Sequence, residues 1–218
     1  MTSTRRPVLP ITADLRGIAA AAAGGLFTGG FAAWAYYSDT YRPLAHTFGL
    51  WVTLLLLLSA RRPVRQAVAR SVLALAVAVL AFYVGKQVMY RIEYPGMPYA
   101  LNREQIGQWL VLAVLVGALL GWLFSPAGDD GRGGTIATAG AVGLLLGDAL
   151  RRGWTYGVVD PVPGAAAVVF IGLVLAGTVR SGRQLGLVAL WTAPMTVLGL
   201  LLVSAPDALE QLLITGSL

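Results

Sequence analysis

Seven apolar segments, each close to the length a helix needs to cross a bilayer, occupy most of this chain. A hydrocarbon core about 30 Å thick takes about 20 helical residues to span. The segments are Gly17–Tyr37, Leu44–Ala60, Arg70–Tyr90, Ile106–Ser125, Gly134–Leu150, Val162–Val179 and Leu185–Val203. Inside a bilayer the backbone must satisfy its own amides and carbonyls, which leaves helices or closed barrels, and unbroken apolar runs select helices. The expectation is an all-α fold, a polytopic transmembrane helical bundle. The connections are too short to fold by themselves, so residues 1–218 read as a single transmembrane domain.

Composition excludes the main alternatives. Hydrophobic residues make up 57% of the chain and charged residues 12%, with a mean hydropathy of +0.72. A soluble domain carries roughly 25% charged residues. The formal charge of +6 would suggest nucleic acid in a soluble protein. Here fifteen of the sixteen cations are arginines, most of them flanking apolar runs, which is how bilayer orientation is encoded and argues against a nucleic-acid partner. No cysteine is present and there is one histidine, so disulfides, thiolate sites and multi-histidine metal sites are not expected. No cofactor is expected. H-E-x-x-H, G-x-S-x-G and Walker patterns are missing, which points away from an enzyme.

Orientation follows from Lys and Arg near span ends. With seven spans and a cytoplasmic N-terminus, Arg5, Arg6, Arg16, Arg61, Arg62, Arg65, Arg70, Arg132, Arg180 and Arg183 lie inside. Arg42, Arg91, Arg103, Arg151 and Arg152 lie outside. The opening MTSTRRPVLPITADLR reads as a basic lead-in, without a clean cleavage site after the first apolar run. A six-span alternative leaves uncrossed the fifth segment, which has only 17 residues and ends near Asp148. It gives the same charge balance. Seven spans place all eight tyrosines toward the outer side and are favoured.

Within the spans, Gly25/Gly29, Gly117/Gly121 and Gly143/Gly147 form G-x-x-x-G pairs, which clear one helix face for close approach. They serve packing inside the bundle, or docking of a second copy or a membrane-protein partner. Pro194 removes a hydrogen bond in the seventh segment and is expected to kink it.

Lys86 carries the most information, because a cation inside a span is paired, solvated or functional. One placement lets its stem snorkel and its ammonium reach the headgroups. The other turns it into the bundle with Tyr83 and Tyr90 at i−3 and i+4, facing an outer polar pocket. Asp39, His46, Asp148 and Asp160 share that level. Asp148 is the best counter-charge for Lys86, in competition with pairing to Arg151 or Arg152 on its own helix. His46 is a hydrogen-bonding or titrating group. The candidate ligand or ion-pair site is therefore Lys86, Asp148, His46, Tyr83, Tyr90 and Asp39.

The runs GGLFTGG (24–30), ARRPVR (60–65) and YRIEYPG (90–96) resemble those of a family of uncharacterised small actinobacterial integral membrane proteins, over about the first half of the chain. That resemblance implies a multi-pass protein of the bacterial inner membrane and brings no function with it. A looser likeness joins the small-residue-rich first span, GIAAAAAGG, to the substrate-binding membrane subunits of energy-coupling-factor importers. Those proteins have six helices and bind small solutes near the outer face. Two functions are expected to compete: small-solute binding or transport at an outer polar pocket, and a structural or partner-docking subunit with no ligand of its own.

Overall fold

A computed structural model describes residues 14–156 and 161–215, with side chains described for 14–152 and 161–205. The helices are α1 (Leu15–Tyr36), α2 (Arg42–Ala45), α3 (Gly49–Ser59), α4 (Val64–Glu93), α5 (Arg103–Phe124), α6 (Arg132–Tyr156), α7 (Pro161–Thr178) and α8 (Gly182–Thr215). No strand occurs among the described residues. Six helices, all but α2 and α3, are long and apolar enough to cross a membrane.

The ends of these helices follow local chemistry. Pro63 precedes α4, where a missing amide costs nothing, and Pro95 with Gly96 (φ +85°) turns the chain after it. Asn102 caps α5, its side chain accepting the Gln105 amide at 3.1 Å. Gly128, also at φ +85°, makes the turn from α5 to α6.

The two expectations about span number resolve in an unforeseen way. The fifth segment, the one in doubt, belongs to α6, a 25-residue helix that is the most enclosed of the spans. The short element comes from the second segment instead. Leu44–Ala60 is divided into α2 and the 11-residue α3, separated by His46, Thr47 and Phe48. Eleven residues rise about 16 Å, roughly half a hydrocarbon core. Yet α3 joins the same two ends of the bundle as its long neighbours. At its start the Phe48 amide meets Asp148 of α6, and at its finish Ser59 hydrogen-bonds Ser71 of α4 at 2.9 Å. Just beyond, the Arg61 guanidinium donates to the carbonyls of Gly128 (2.9 Å) and Gly177 (3.4 Å), tying the α5–α6 turn to the end of α7. Arg61 itself holds φ +56°, a strained value for a residue with a side chain.

Close packing is set by the glycines. A Cβ on Gly25 or Gly29 would fall on the carbonyl oxygens of Ala74 and Ala78, so α1 lies directly on the α4 backbone. Matching increments along the two chains make α1 and α4 parallel. Gly143 and Gly147 meet Met195 and the Gly199–Leu200 backbone in the same manner, making α6 and α8 a second parallel pair. Gly117 and Gly121 set α5 antiparallel on α4, against Val72 and Val68. All three G-x-x-x-G pairs are thus occupied within the chain and are not open faces for a partner. Pro194 lies inside α8, which continues through it.

Arg70 was counted above with the headgroup cations. Its side chain is buried, ion-paired with Asp14 and laid over Gly17. A cation can thus be consumed by the bundle even when its position in the sequence resembles an orientation signal.

Gly29→Val is expected to destabilise the fold by about 1–3 kcal/mol, because the Ala78 backbone behind it cannot retreat without parting α1 from α4. Gly30→Val has nothing within 4 Å of its new Cβ and is expected to match the wild type. Thermal unfolding of the two variants in one detergent measures the difference.

Candidate functional site

The polar residues singled out in the sequence gather at the end of the bundle where α1, α4 and α6 finish and α3 begins. They form two linked sites rather than one pocket around Lys86.

The first is built on Tyr36, the last residue of α1. Because α1 and α4 run parallel and touch, Tyr36 arrives beside Lys86 of α4. The Lys86 Nζ stands 3.9 Å from the centroid of the Tyr36 ring and 5.4 Å from that of Phe82. A cation over an aromatic face is held by the ring quadrupole, more strongly as water is excluded. The Tyr36 ring packs 5.7 Å from the His46 ring, and its carbonyl accepts a hydrogen bond from Arg42 Nε at 3.3 Å. Tyr37 adds a bond from its hydroxyl to the Lys86 carbonyl at 3.4 Å.

The second is built on Asp148, which is buried. Its Oδ2 accepts the Phe48 amide at 2.8 Å, and its Oδ1 lies 3.5 Å from Arg151 Nη2. Phe48 is the cap residue of α3 and has no side-chain oxygen with which to cap it. Asp148 supplies that oxygen from another helix, together with a negative charge near the positive end of α3. The Arg151 guanidinium stands 5.4 Å from the Phe48 ring. Asp148 is therefore paired on its own helix and bound to α3, and the ion pair with Lys86 is not formed.

His46 lies between the two sites, after α2 and outside the spans. Burial lowers its pKa below the usual value near 6.5, and the positive charges of Arg152, Lys86, Arg42 and Arg151 lower it further. Four cations from α2, α4 and α6 thus act on one imidazole.

The other candidates are dispersed. Tyr83 is buried in the core beside Phe82. Tyr90 stacks with Tyr94 and Tyr99 at the tip of α4 and its hydroxyl points to the Met97 sulfur at 3.7 Å. Asp39 is exposed in the turn after α1. Asp160 lies outside the described residues. The polar stripe expected along α4 is therefore divided, with Lys86 set against Tyr36 at the end of α1. Sequence reasoning missed Tyr36, Arg42 and Phe48. The sequence places Tyr36 and Tyr37 only among eight tyrosines toward the outer side, and nothing local signals that α1 and α4 end at one level.

A model of known sequence families matches residues 10–209. The chain belongs to the DUF6518 family. Its description is a family of unknown function, in keeping with the resemblance to uncharacterised membrane proteins. No curated protein and no solved structure matches this DUF6518 chain.

Asp148→Asn keeps an acceptor for the Phe48 amide and removes the charge that Arg151 faces. The expected loss is about 1–3 kcal/mol. Adding Arg151→Met should recover part of it, giving a non-additive double-mutant cycle. Equal and additive losses in thermal unfolding would show that the pair is not coupled.

Proposed function

We propose that this DUF6518 protein is a non-enzymatic protein of the bacterial inner membrane, with a cytoplasmic N-terminus, that binds an anionic group at the Tyr36–His46 end of its bundle. The observation that carries the reading is the gathering of the Lys86 ammonium, the His46 ring and the Arg42 guanidinium around Tyr36. Like charges brought together near a low-dielectric region repel one another strongly. Asp148 is committed to Arg151. An anion bound beside His46 would offset the charges of Arg42 and Lys86 and gain charge-assisted hydrogen bonds. Tyr36 and Phe82 hold the Lys86 ammonium in place. The partner-docking alternative draws no support from the G-x-x-x-G pairs, since all three are occupied within the chain.

The lone histidine is a built-in reporter. In zwitterionic phosphatidylcholine nanodiscs, the NMR titration midpoint of His46 should lie below the usual 6.5. Sulfate, which keeps its charge across this range, should raise the midpoint saturably at matched ionic strength, because a neighbouring anion favours the protonated ring. Arg152→Gln should weaken that response. A midpoint that sulfate leaves where chloride does, in wild type and variant alike, would overturn the proposal.

Orientation has its own test, made simple by the lack of native cysteine. Met97→Cys, in the exposed loop after α4, should react with an impermeant thiol reagent on intact cells. Asp130→Cys, in the exposed α5–α6 turn at the other end, should react only after lysis. The opposite pattern would invert the topology.

A further inference from the structure

A shift of 118 positions lays the second half of this chain on the first. IAAAAAGGLFTG at 18–29 falls on IATAGAVGLLLG at 136–147, identical at seven of twelve positions, both glycines of the G-x-x-x-G pair included. Runs this rich in alanine and glycine coincide easily, so other marks decide. The same shift carries Pro43 onto Pro161, each at the start of its helix. It carries R-x-x-R-Q at 62–66 onto R-x-x-R-Q at 180–184. It also carries Val64, the first residue of α4, onto Gly182, the first of α8. Thus α1 corresponds to α6, α2 with α3 to α7, and α4 to α8.

Packing repeats as well. In each set the G-x-x-x-G of the first helix lies on the backbone of the third, in parallel. The contact on α8 falls about one turn further along: the shift sends Ala78 to Thr196, and Gly147 meets Gly199 and Leu200. Three crossings reverse a chain, so two such units share one orientation only with a further crossing between them. That crossing is α5. The break before α3 has its counterpart too, for His46, Thr47 and Phe48 stand where Gly164, Ala165 and Ala166 continue α7 as one helix. The charges do not repeat: Gly30, Ala33, Trp34 and Ser204 occupy the positions equivalent to Asp148, Arg151, Arg152 and Lys86.

We infer that the two units, α1–α4 and α6–α8, move against each other as rigid bodies, with α3 as the strut between them. Inside each unit backbone touches backbone, and a helix that slides meets its neighbour's carbonyl oxygens and Cα atoms. Between the units the packing is looser. An apolar cavity of about 110 Å³ lies there, lined by Leu55 and Leu75 of the first unit, Leu144 and Val203 of the second, and Ala113 and Leu120 of α5. Side chains that face a void forgo dispersion contacts, so tilting the units at this seam gives up little. Polar ties cross the seam at the two ends of α3. The Phe48 amide binds Asp148 at one end, and Arg61 reaches the Gly177 carbonyl at the other. Each tie can open while the other holds. Membrane proteins built from repeated bundles commonly work by rocking one repeat against the other.

Spin-label pairs on the full, naturally cysteine-free chain in nanodiscs test this, read as distance distributions. Leu26→Cys with Val88→Cys reports within the first unit. Val88→Cys with Leu150→Cys spans the seam at the Phe48 end, and Val64→Cys with Gly182→Cys spans it at the Arg61 end. All of these positions are exposed. The within-unit pair should give one narrow separation. Each cross-unit pair should give two separations that differ by about 5 Å, the rise of one helical turn. Arg61→Asn is too short to reach Gly177 and tolerates a left-handed backbone. It should move the Val64–Gly182 pair toward its longer separation and leave the within-unit pair unchanged. Should that variant fail to fold, the wild-type distributions decide alone. Cross-unit pairs as narrow as the within-unit pair, or a within-unit pair as broad as the others, would overturn the proposal. An unmoved Val64–Gly182 pair in folded Arg61→Asn would overturn the part given to α3.

Discussion

The short helix α3 sets the terms for the rest of this molecule. It begins after a break at His46–Phe48, where the amides of His46 and Thr47 reach back to carbonyls of α2 and that of Phe48 does not. The Asp148 carboxylate answers the Phe48 amide, and Arg151 answers the carboxylate. Burying a carboxylate is unfavourable unless both hydrogen bonds and charge compensate it. That requirement brings Arg151 and its neighbour Arg152 to the end of the bundle where Lys86 and Arg42 already stand. The cationic character of this end follows from the need to cap an 11-residue helix that crosses between the two ends of much longer ones.

Glycine contacts supply the complementary constraint. Parallel helices cannot be neighbours in a simple up-down chain, so α1/α4 and α6/α8 each enclose a crossing in the opposite direction. Each pair is closed by a G-x-x-x-G near the middle of its first helix. Between the two sets, α5 reverses the chain once, and α7 lies on α6 and α3 rather than against α8. Backbone-to-backbone approach brings the ends of α1 and α4 to one level, and the stacking of Lys86 over Tyr36 follows from that registry.

Fold class was legible because apolar run length is a one-dimensional property. The bundle and the six long crossing helices can be read from run length, and the glycine pairs from spacing, though not whether they pack inside the chain or against a partner. What escaped was any feature that depends on which helices touch. Lys86 was recognised as unusual, but its partner Tyr36 is fifty residues away on a helix that had to be found parallel. Asp148 was offered two partners, and the local one, Arg151, is the pair that forms. The short α3 was unreadable for a different reason. LLLLL satisfies any hydropathy window, and the break before it, at His46–Phe48, becomes tolerable only through a carboxylate one hundred residues later.

Lys86 settles how polarity and apolarity divide this end of the bundle. Snorkelling and pocket-facing were posed as alternatives, and the stacked geometry has parts of each. The ammonium stops over the aromatic ring of Tyr36, at the end of α1, and forms no ion pair with an acid among the described residues. A ring quadrupole stabilises a cation without neutralising it. The positive charge is therefore still felt by its surroundings, and it adds to burial in lowering the pKa of His46. A carboxylate in place of Tyr36 would hold the lysine more firmly and cancel its field. The two rings keep the cation fixed and leave its charge uncancelled.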